Sequence, residues 1–285
     1  MLSCYNKKSF SILIKSDTIK SSNKLVNIIT LNNPNKRNSL GYEMLSELNN
    51  QLNLINDKYE KSRGIEASIV VLSSVGNVFS SGHDLKELES SKKEKQNEIF
   101  NLCKEVCLKI HKSKSLFIAE VYGLAAAAGC QLTSACDLTI ASNLAGFSCP
   151  GIKLGLFCST PAVPLSRLIT PKRAMQMLLT GETIDAKTAL DWGIINEVIS
   201  VNKGKDYSEQ IEILRQGTLT LIEKISQHSS ESFSLGKEGF YKQLEMPLEK
   251  SYEHALEVML NTLQMPDCKE GLKSFIEKRK PEFKH

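Results

Sequence analysis

The chain has 285 residues, of which 41% are hydrophobic, 24% charged and 6% aromatic. At about 150 residues per domain that length holds one or two domains, and a chain of this size buries about three-quarters of its unfolded surface without disulfide staples. Its 36 Lys and Arg against 32 Asp and Glu leave a net charge of +4, too small a surplus for a nucleic-acid or acidic-membrane surface, and no run approaches the ~18 consecutive apolar residues of a membrane span.

Three parts follow one another along the chain. Residues 1–24 hold five lysines, six serines and a single acid, Asp17. A basic, serine-rich, acid-poor start resembles an organellar transit segment and predicts a mitochondrial protein. The alternative is a cytoplasmic protein with an N-terminal arm whose first strand spans 9–14.

From residue 25 to 204 the pattern is that of an α/β core. Short, apolar, partly β-branched runs at 25–31, 68–72, 116–121 and 138–141 predict strands. Between them Leu45, Leu48, Leu52 and Ile55, then Ile99, Leu102, Val106 and Ile110, recur at helical spacing. Alternating strands and helices argue for an α/β fold rather than α+β. After about residue 169 the sequence is helix-rich, and 194–201 is the last predicted strand.

Residues 205–285 read as a helical C-terminal region. Met246 and Pro247 break one helix, after which Leu248, Tyr252, Leu256, Met259 and Leu263 form a new apolar stripe. A last helix spans 268–278, before Pro281. An apolar stripe on a helical appendix predicts docking on a neighbouring subunit.

The eight cysteines form no CxxC pair, and most lie among apolar residues, as free thiols in a reducing compartment do. The five histidines show no metal-ligand spacing with cysteine or with each other. Ser81, His83 and Asp84 are too close in sequence to form a nucleophilic triad. No G-x-S-x-G or G-x-G-x-x-G occurs, and no Lys-Ser/Thr follows the small residues at 123–129.

Two segments remain. FSSGHDL at 79–85 follows the strand predicted at 68–72, and GLAAAAGCQ at 123–131 follows the one at 116–121. In each a strand runs through small residues into a helix, whose start offers unpaired N–H groups. Two such starts facing each other would hold one developing oxyanion. The alternative is that the small residues only allow tight packing.

Four motifs, in order and spacing, carry a resemblance to the enoyl-CoA hydratase/isomerase (crotonase) superfamily over residues 26–284. LNNPNKRNSL at 31–40 matches N-x-P-x-x-x-N-A-L, and 79–85 matches F-x-x-G-x-D-L. Residues 123–137 match G-x-A-x-G-G-G-x-E-L…C-D, and FSCPGIKLG at 147–155 matches F-x-x-P-E-x-x-L-G. Further likeness, at 80–88, 129–132, 155–161 and 278–281, is to one branch of that superfamily. The resemblance implies a spiral of ββα units with a helical C-terminal trimerisation region, assembled as a homotrimer or homohexamer. It implies an acyl-coenzyme A thioester as ligand and no separate cofactor or metal. The oxyanion amides fall on the backbone of His83 and Ala128. Coenzyme A contacts are expected from Lys36, Arg37, Ser39, Asp84 and Leu85, with Phe275 and Lys278 closing over it.

The departures bear on activity. The two glutamates that hydrate the double bond fall at Gln131 and Gly151, which carry no exchangeable acid. General acid–base work is worth 10²–10⁴-fold per group, so losing both removes about 5–11 kcal/mol of catalysis. Two-glutamate hydration is therefore expected to be weak or absent, and Gln131→Glu with Gly151→Glu is expected to raise it. Cys149 and Cys158 lie in or beside the block that bears the second acid, either as reactive thiols or as buried structural ones. Three readings stand: an acyl-CoA lyase or isomerase with non-standard proton chemistry, a methylmalonyl-type acyl-CoA decarboxylase with His83 and Gln131 orienting the substrate, and a non-catalytic acyl-CoA binder.

Overall fold

The computed structural model describes residues 13–21, 24–62, 64–66, 68–202, 204 and 206–284. Among them the strands, in chain order, are β1 (Ile14–Ser21), β2 (Lys24–Leu31), β3 (Ile69–Ser74), β4 (Val78–Ser80), β5 (Leu116–Val121), β6 (Leu124–Ala126), β7 (Leu138–Ser142), β8 (Gly146–Ser148), β9 (Ile184–Asp185) and β10 (Glu197–Ile199). The helices are α1 (Tyr42–Ser62), α2 (Leu85–Ser90), α3 (Lys93–Lys112), α4 (Ala128–Ser134), α5 (Ser159–Leu168), α6 (Pro171–Thr180), α7 (Ala186–Trp192), α8 (Tyr207–Ser226), α9 (Ser230–Gln243), α10 (Leu248–Gln264) and α11 (Pro266–Ile276).

Two sheets share these strands. The larger has the order β1-β2-β3-β5-β7-β10 and is parallel except for β1, and the smaller runs β4-β6-β8-β9. Each turn of chain gives one strand to the large sheet and the next to the small one: β3 then β4, β5 then β6, β7 then β8. A helix follows, which makes the architecture a spiral of ββα units. The step between sheets is tight. An added Cβ at Gly123, between β5 and β6, would collide with the backbone carbonyl of Asn77.

The large sheet is buried on both faces, as parallel sheets are. Ile29, Leu31, Val70, Leu72, Phe117 and Ala119 face a core shared with the small sheet, α1 and α3. Val26, Ile28, Ile69, Val71, Ile118 and Ile140 face Leu214 and Ile222 of α8. The strict alternation of 69 and 71 against 70 and 72 is the period of two that puts successive side chains on opposite faces.

Several expectations need correction. The strand expected at 9–14 lies mostly outside the described residues, and β1 instead spans Ile14–Ser21, whose polar residues hid it. The short strands β4, β6, β8 and β9 were not anticipated, because two or three residues carry no readable period. Residues 194–201 shrink to β10, since Ile194 and Ile195 are buried in the turn after Gly193. The buried stripe of α3 runs through Cys103, and Leu102 is only partly buried. The last helix begins at Pro266, earlier than 268, because proline is favoured at a helix start.

Candidate functional site

The loop after β2 is built around Asn38. Its side chain is fully buried and donates to the carbonyls of Val75 (2.9 Å) and Val78 (2.8 Å) while accepting from Asn33 N–H (2.8 Å). Arg37 and Asn38 take left-handed φ values of 51° and 49°, which asparagine tolerates better than most residues. So pinned, the loop runs beside the segment after β4. Ser81 N–H donates to Arg37 O (3.0 Å), Leu40 N–H to Gly82 O (2.8 Å) and Ser80 Oγ to Asn38 O (2.8 Å).

The residues expected to meet coenzyme A divide into two groups. Lys36 pairs with Asp84 at 3.4 Å, and Asp84 caps α2 by accepting from the N–H groups of Lys86 and Glu87. Arg37, Ser39 and Leu85 lie along the same edge, with Leu85 half exposed. Phe275, 84% exposed, and Lys278 lie at the end of α11, which packs on α9 and α10. No hydrogen bond or ion pair among the described residues joins them to that edge.

The strands that deliver the two small-residue segments are β4 and β6, not the longer ones at 68–72 and 116–121. They are parallel neighbours, so the segments emerge side by side. Gly82 has φ +88°, and an added Cβ there would stand 2.9 Å from Ala127 Cβ and 3.2 Å from Ala128 N. A Cβ at Gly129 would likewise fall 2.5 Å from Ser80 O. Ala127, at φ 49° and ψ −118°, turns the chain into α4, held by its N–H on Ser148 O at 2.9 Å. That backbone is strained for any residue but glycine. The N–H groups of His83 and Ala128 flank this junction, and neither is donated to any group among the described residues.

The two segments also carry the side chains of His83 and Gln131. His83 Nδ1 contacts Leu40 O at 3.1 Å, and the ring packs edge-on against Phe100 of α3 at 4.8 Å. Burial lowers its pKa more than the Leu40 carbonyl and Glu87 raise it, so the neutral ring donates from Nδ1. Its buried Nε2 has no partner among the described residues. Gln131, 5% exposed, donates to Cys107 Sγ at 3.5 Å, and its buried Oε1 also has no partner among the described residues. Polar atoms left so are costly unless something else satisfies them.

Position 151 differs from expectation. A Cβ there would sit 2.5 Å from the backbone oxygen of Leu156 and 2.7 Å from Cys158 Sγ. The chain folds back over Gly151, whose N–H donates to that same sulfur at 3.3 Å. Gly151→Glu is therefore not a simple restoration. Cys158 precedes α5 at its N-cap. The neighbouring Cys149 thiol and the Gly151 N–H lower its pKa against the opposing effect of burial, and Cys149 is pushed up. Cys130, the residue before Gln131, is buried in the same core as Cys149. Among the described residues all seven cysteines are free thiols, and Cys4 lies outside them.

Sequence reasoning did not assign Asn38, Phe100 and Cys107. Asn38 stood inside a quoted motif without a role. Cys103 and Cys107, four apart on α3, were a signal for a second thiol-bearing face.

Comparison with known proteins shows the family and the fold. The family model described as enoyl-CoA hydratase/isomerase matches residues 21–285. The mitochondrial enoyl-CoA hydratase domain-containing protein 3 of Mus musculus is 40% identical over 258 residues, 90% of this chain and 81% of the mouse protein. A probable mitochondrial enoyl-CoA hydratase of Dictyostelium discoideum is 30% identical, over 90% of this chain and 86% of its own. Among solved structures, an enoyl-CoA hydratase from Mycobacterium smegmatis superposes with TM-score 0.87 at 34% identity, covering 96% of this chain and all of its own. The crystal structure of human enoyl-CoA hydratase domain-containing protein 3 gives 0.83 at 37% identity, covering 94% of this chain and 99% of its own.

Proposed function

Because the chain belongs to the enoyl-CoA hydratase/isomerase family, we propose that it binds an acyl-CoA thioester and polarises its carbonyl between the N–H groups of His83 and Ala128, without adding water by two glutamates. One observation carries the reading: two backbone donors without partners among the described residues flank one junction, while the two acid positions hold an amide and a glycine with no room for a side chain. A donor pair of this kind stabilises an enolate, and removing one donor typically costs ~3–4 kcal/mol of transition-state stabilisation. Ala128 gives the same donor as the glycine usual there, with a methyl group that narrows the site.

Lys36, Arg37, Ser39, Asp84 and Leu85 supply the edge for coenzyme A. Phe275 and Lys278 reach it from a neighbouring subunit of a homotrimer or homohexamer. Support for assembly comes from α10, where Leu248, Tyr252, Leu256 and Met259 are 60–74% exposed. A mitochondrial site of action follows from the names of the enoyl-CoA hydratase domain-containing protein 3 relatives. The carboxylates beside the junction are engaged, Asp84 with Lys36 and α2 and Glu87 with the Tyr42 N–H. A second reading, loss of a carboxylate from a malonyl-type thioester, uses the same pair of backbone donors and needs no acid at positions 131 and 151.

The test is a mass-spectrometric turnover assay on the purified protein with crotonyl-CoA, a longer 2-enoyl-CoA, methylmalonyl-CoA and ethylmalonyl-CoA. Thioester binding without a gain of water is expected. Rapid hydration of crotonyl-CoA would overturn the mechanism, and loss of carbon dioxide would favour the second reading. Thioesters returned unchanged but retained by the protein would favour a binder.

A further inference from the structure

The amides of His83 and Ala128 leave from different strands, so their separation is set where β4 and β6 run out. Regular pairing does not set it. Val78 pairs with Leu124 but Ser80 with Ala125, so β4 carries one extra residue and the ladder breaks just before the junction. An irregularity of this kind re-aims a strand, and the new direction has to be held by other bonds. The residue at that point is Ser80, which is fully buried. Its hydroxyl donates to Asn38 O at 2.8 Å and accepts from Gly82 N–H at 3.2 Å. Gly82 O, which shares a peptide plane with the His83 N–H, accepts from Leu40 N–H at 2.8 Å. In a trans peptide the N–H points away from that carbonyl, so fixing Gly82 at both its N–H and its carbonyl aims the His83 donor. Ser80 also touches the second segment. Its carbonyl oxygen lies 2.5 Å, and its Cβ 2.8 Å, from where a Cβ of Gly129 would stand.

From this geometry we infer that Ser80 is a positioning residue of the donor pair: its hydroxyl holds the His83 N–H at the angle and distance from the Ala128 N–H that one thioester oxygen requires. The inference rests on the acyl-CoA reading above. Ser80 meets no substrate, and it acts through Gly82 on one side and Gly129 on the other. The demand on it is tight, because an oxyanion donor works from about 2.7–3.1 Å and weakens steeply off line. The same hydroxyl, through Asn38 O, ties the donor pair to the loop that carries Lys36, Arg37 and Ser39.

The experiment reads the infrared carbonyl band of bound butyryl-CoA, labelled with carbon-13 at the carbonyl, with calorimetric binding measured alongside. Ser142 supplies a matched control. Fully buried at the end of β7, it donates to Tyr122 O and accepts from Leu144 N–H at 3.0 Å, the same pair of bonds at the entries of β6 and β8 instead of at the junction. Ser80→Ala and Ser142→Ala should lower the urea midpoint by similar amounts, since each leaves a buried carbonyl and a buried N–H unpaired. Only Ser80→Ala should move the band. It should bind the thioester within a few-fold of wild type and keep about half of the wild-type shift, as one of two donors is misaligned. Ser80→Cys, with a weaker donor and acceptor at the same place, should fall between. If Ser80→Ala does not fold, Ser80→Cys carries the test, and a wild-type band there overturns the assignment. A full wild-type shift in Ser80→Ala, or an equal loss in Ser142→Ala, would overturn the assignment of Ser80 alone. An unshifted band in the wild-type protein, or no binding by it, would overturn the acyl-CoA reading and this inference with it.

Discussion

At position 151 the path of the backbone, not the chemistry of one side chain, excludes an acid. Leu156 O and Cys158 Sγ occupy the space in which a Cβ would lie. Gly151→Ala should therefore destabilise the protein by about 2 kcal/mol, as overpacking does, read as a lowered urea midpoint. Gln131→Glu with Gly151→Glu should give no hydratase, contrary to the expectation from sequence. Ala127 offers the opposite case. Its φ of 49° with ψ −118° belongs to glycine territory, so Ala127→Gly should stabilise by about 1 kcal/mol, the strain relieved less glycine's entropy cost. His83 sets a pH dependence. Burial lowers its pKa from the ordinary 6.5, so on acidification the unfolded chain takes up that proton first. The stabilisation is present above about pH 6.5 and is lost as pH falls through the lower folded value. Urea midpoints at pH 7.5 and 5.5 should differ more for wild type than for His83→Gln.

The same logic of enclosure operates between elements. Lys237 of α9 reaches Asp137, just before β7, at 2.7 Å, with both side chains under a tenth exposed. It also donates to Ser115 O at 2.7 Å, and Asp137 accepts from Phe117 N–H at 2.7 Å, so one ion pair ties α9 to the ends of β5 and β7. Lys237→Met leaves a buried carboxylate without its cation and should cost about 3–5 kcal/mol, whereas Lys237→Met with Asp137→Asn should recover part of it. Legibility in the sequence follows a similar division. Strands β3 and β5 were readable because burial on both faces makes them apolar runs, and α1 because Leu45, Leu48, Leu52 and Ile55 are all buried. Strands β4, β6 and β8 were not, although they aim the site, because three residues show no period. The small-residue segments were visible as motifs. That they interlock through Gly82 and Gly129 depends on a parallel pairing no local pattern encodes. The closure over Gly151 depends on a chain reversal seven residues on.

For the whole molecule, the unfinished surface is the C-terminal one. The stripe Leu248, Tyr252, Leu256, Met259 and Leu263 is where the spacing put it on α10, and within one chain it is 38–74% exposed. Large contiguous apolar patches of this sort are covered in functioning proteins. Leu256→Glu with Met259→Glu should shift the native mass from trimer or hexamer toward monomer, leaving the far-ultraviolet circular dichroism of the fold unchanged, and a wild-type monomer would contradict the assembly. Under the proposed function, such an interface is also what would bring Phe275 and Lys278 to coenzyme A. At the centre stands the claim that two backbone N–H groups, on His83 and Ala128, converge on a thioester oxygen. The most direct test is the isotope-edited infrared difference spectrum of butyryl-CoA labelled with carbon-13 at its carbonyl, bound to the wild-type protein. Two hydrogen bonds to that oxygen should move the carbonyl stretch to lower frequency than in free solution, and a bound thioester whose band stays at the free position would contradict the account.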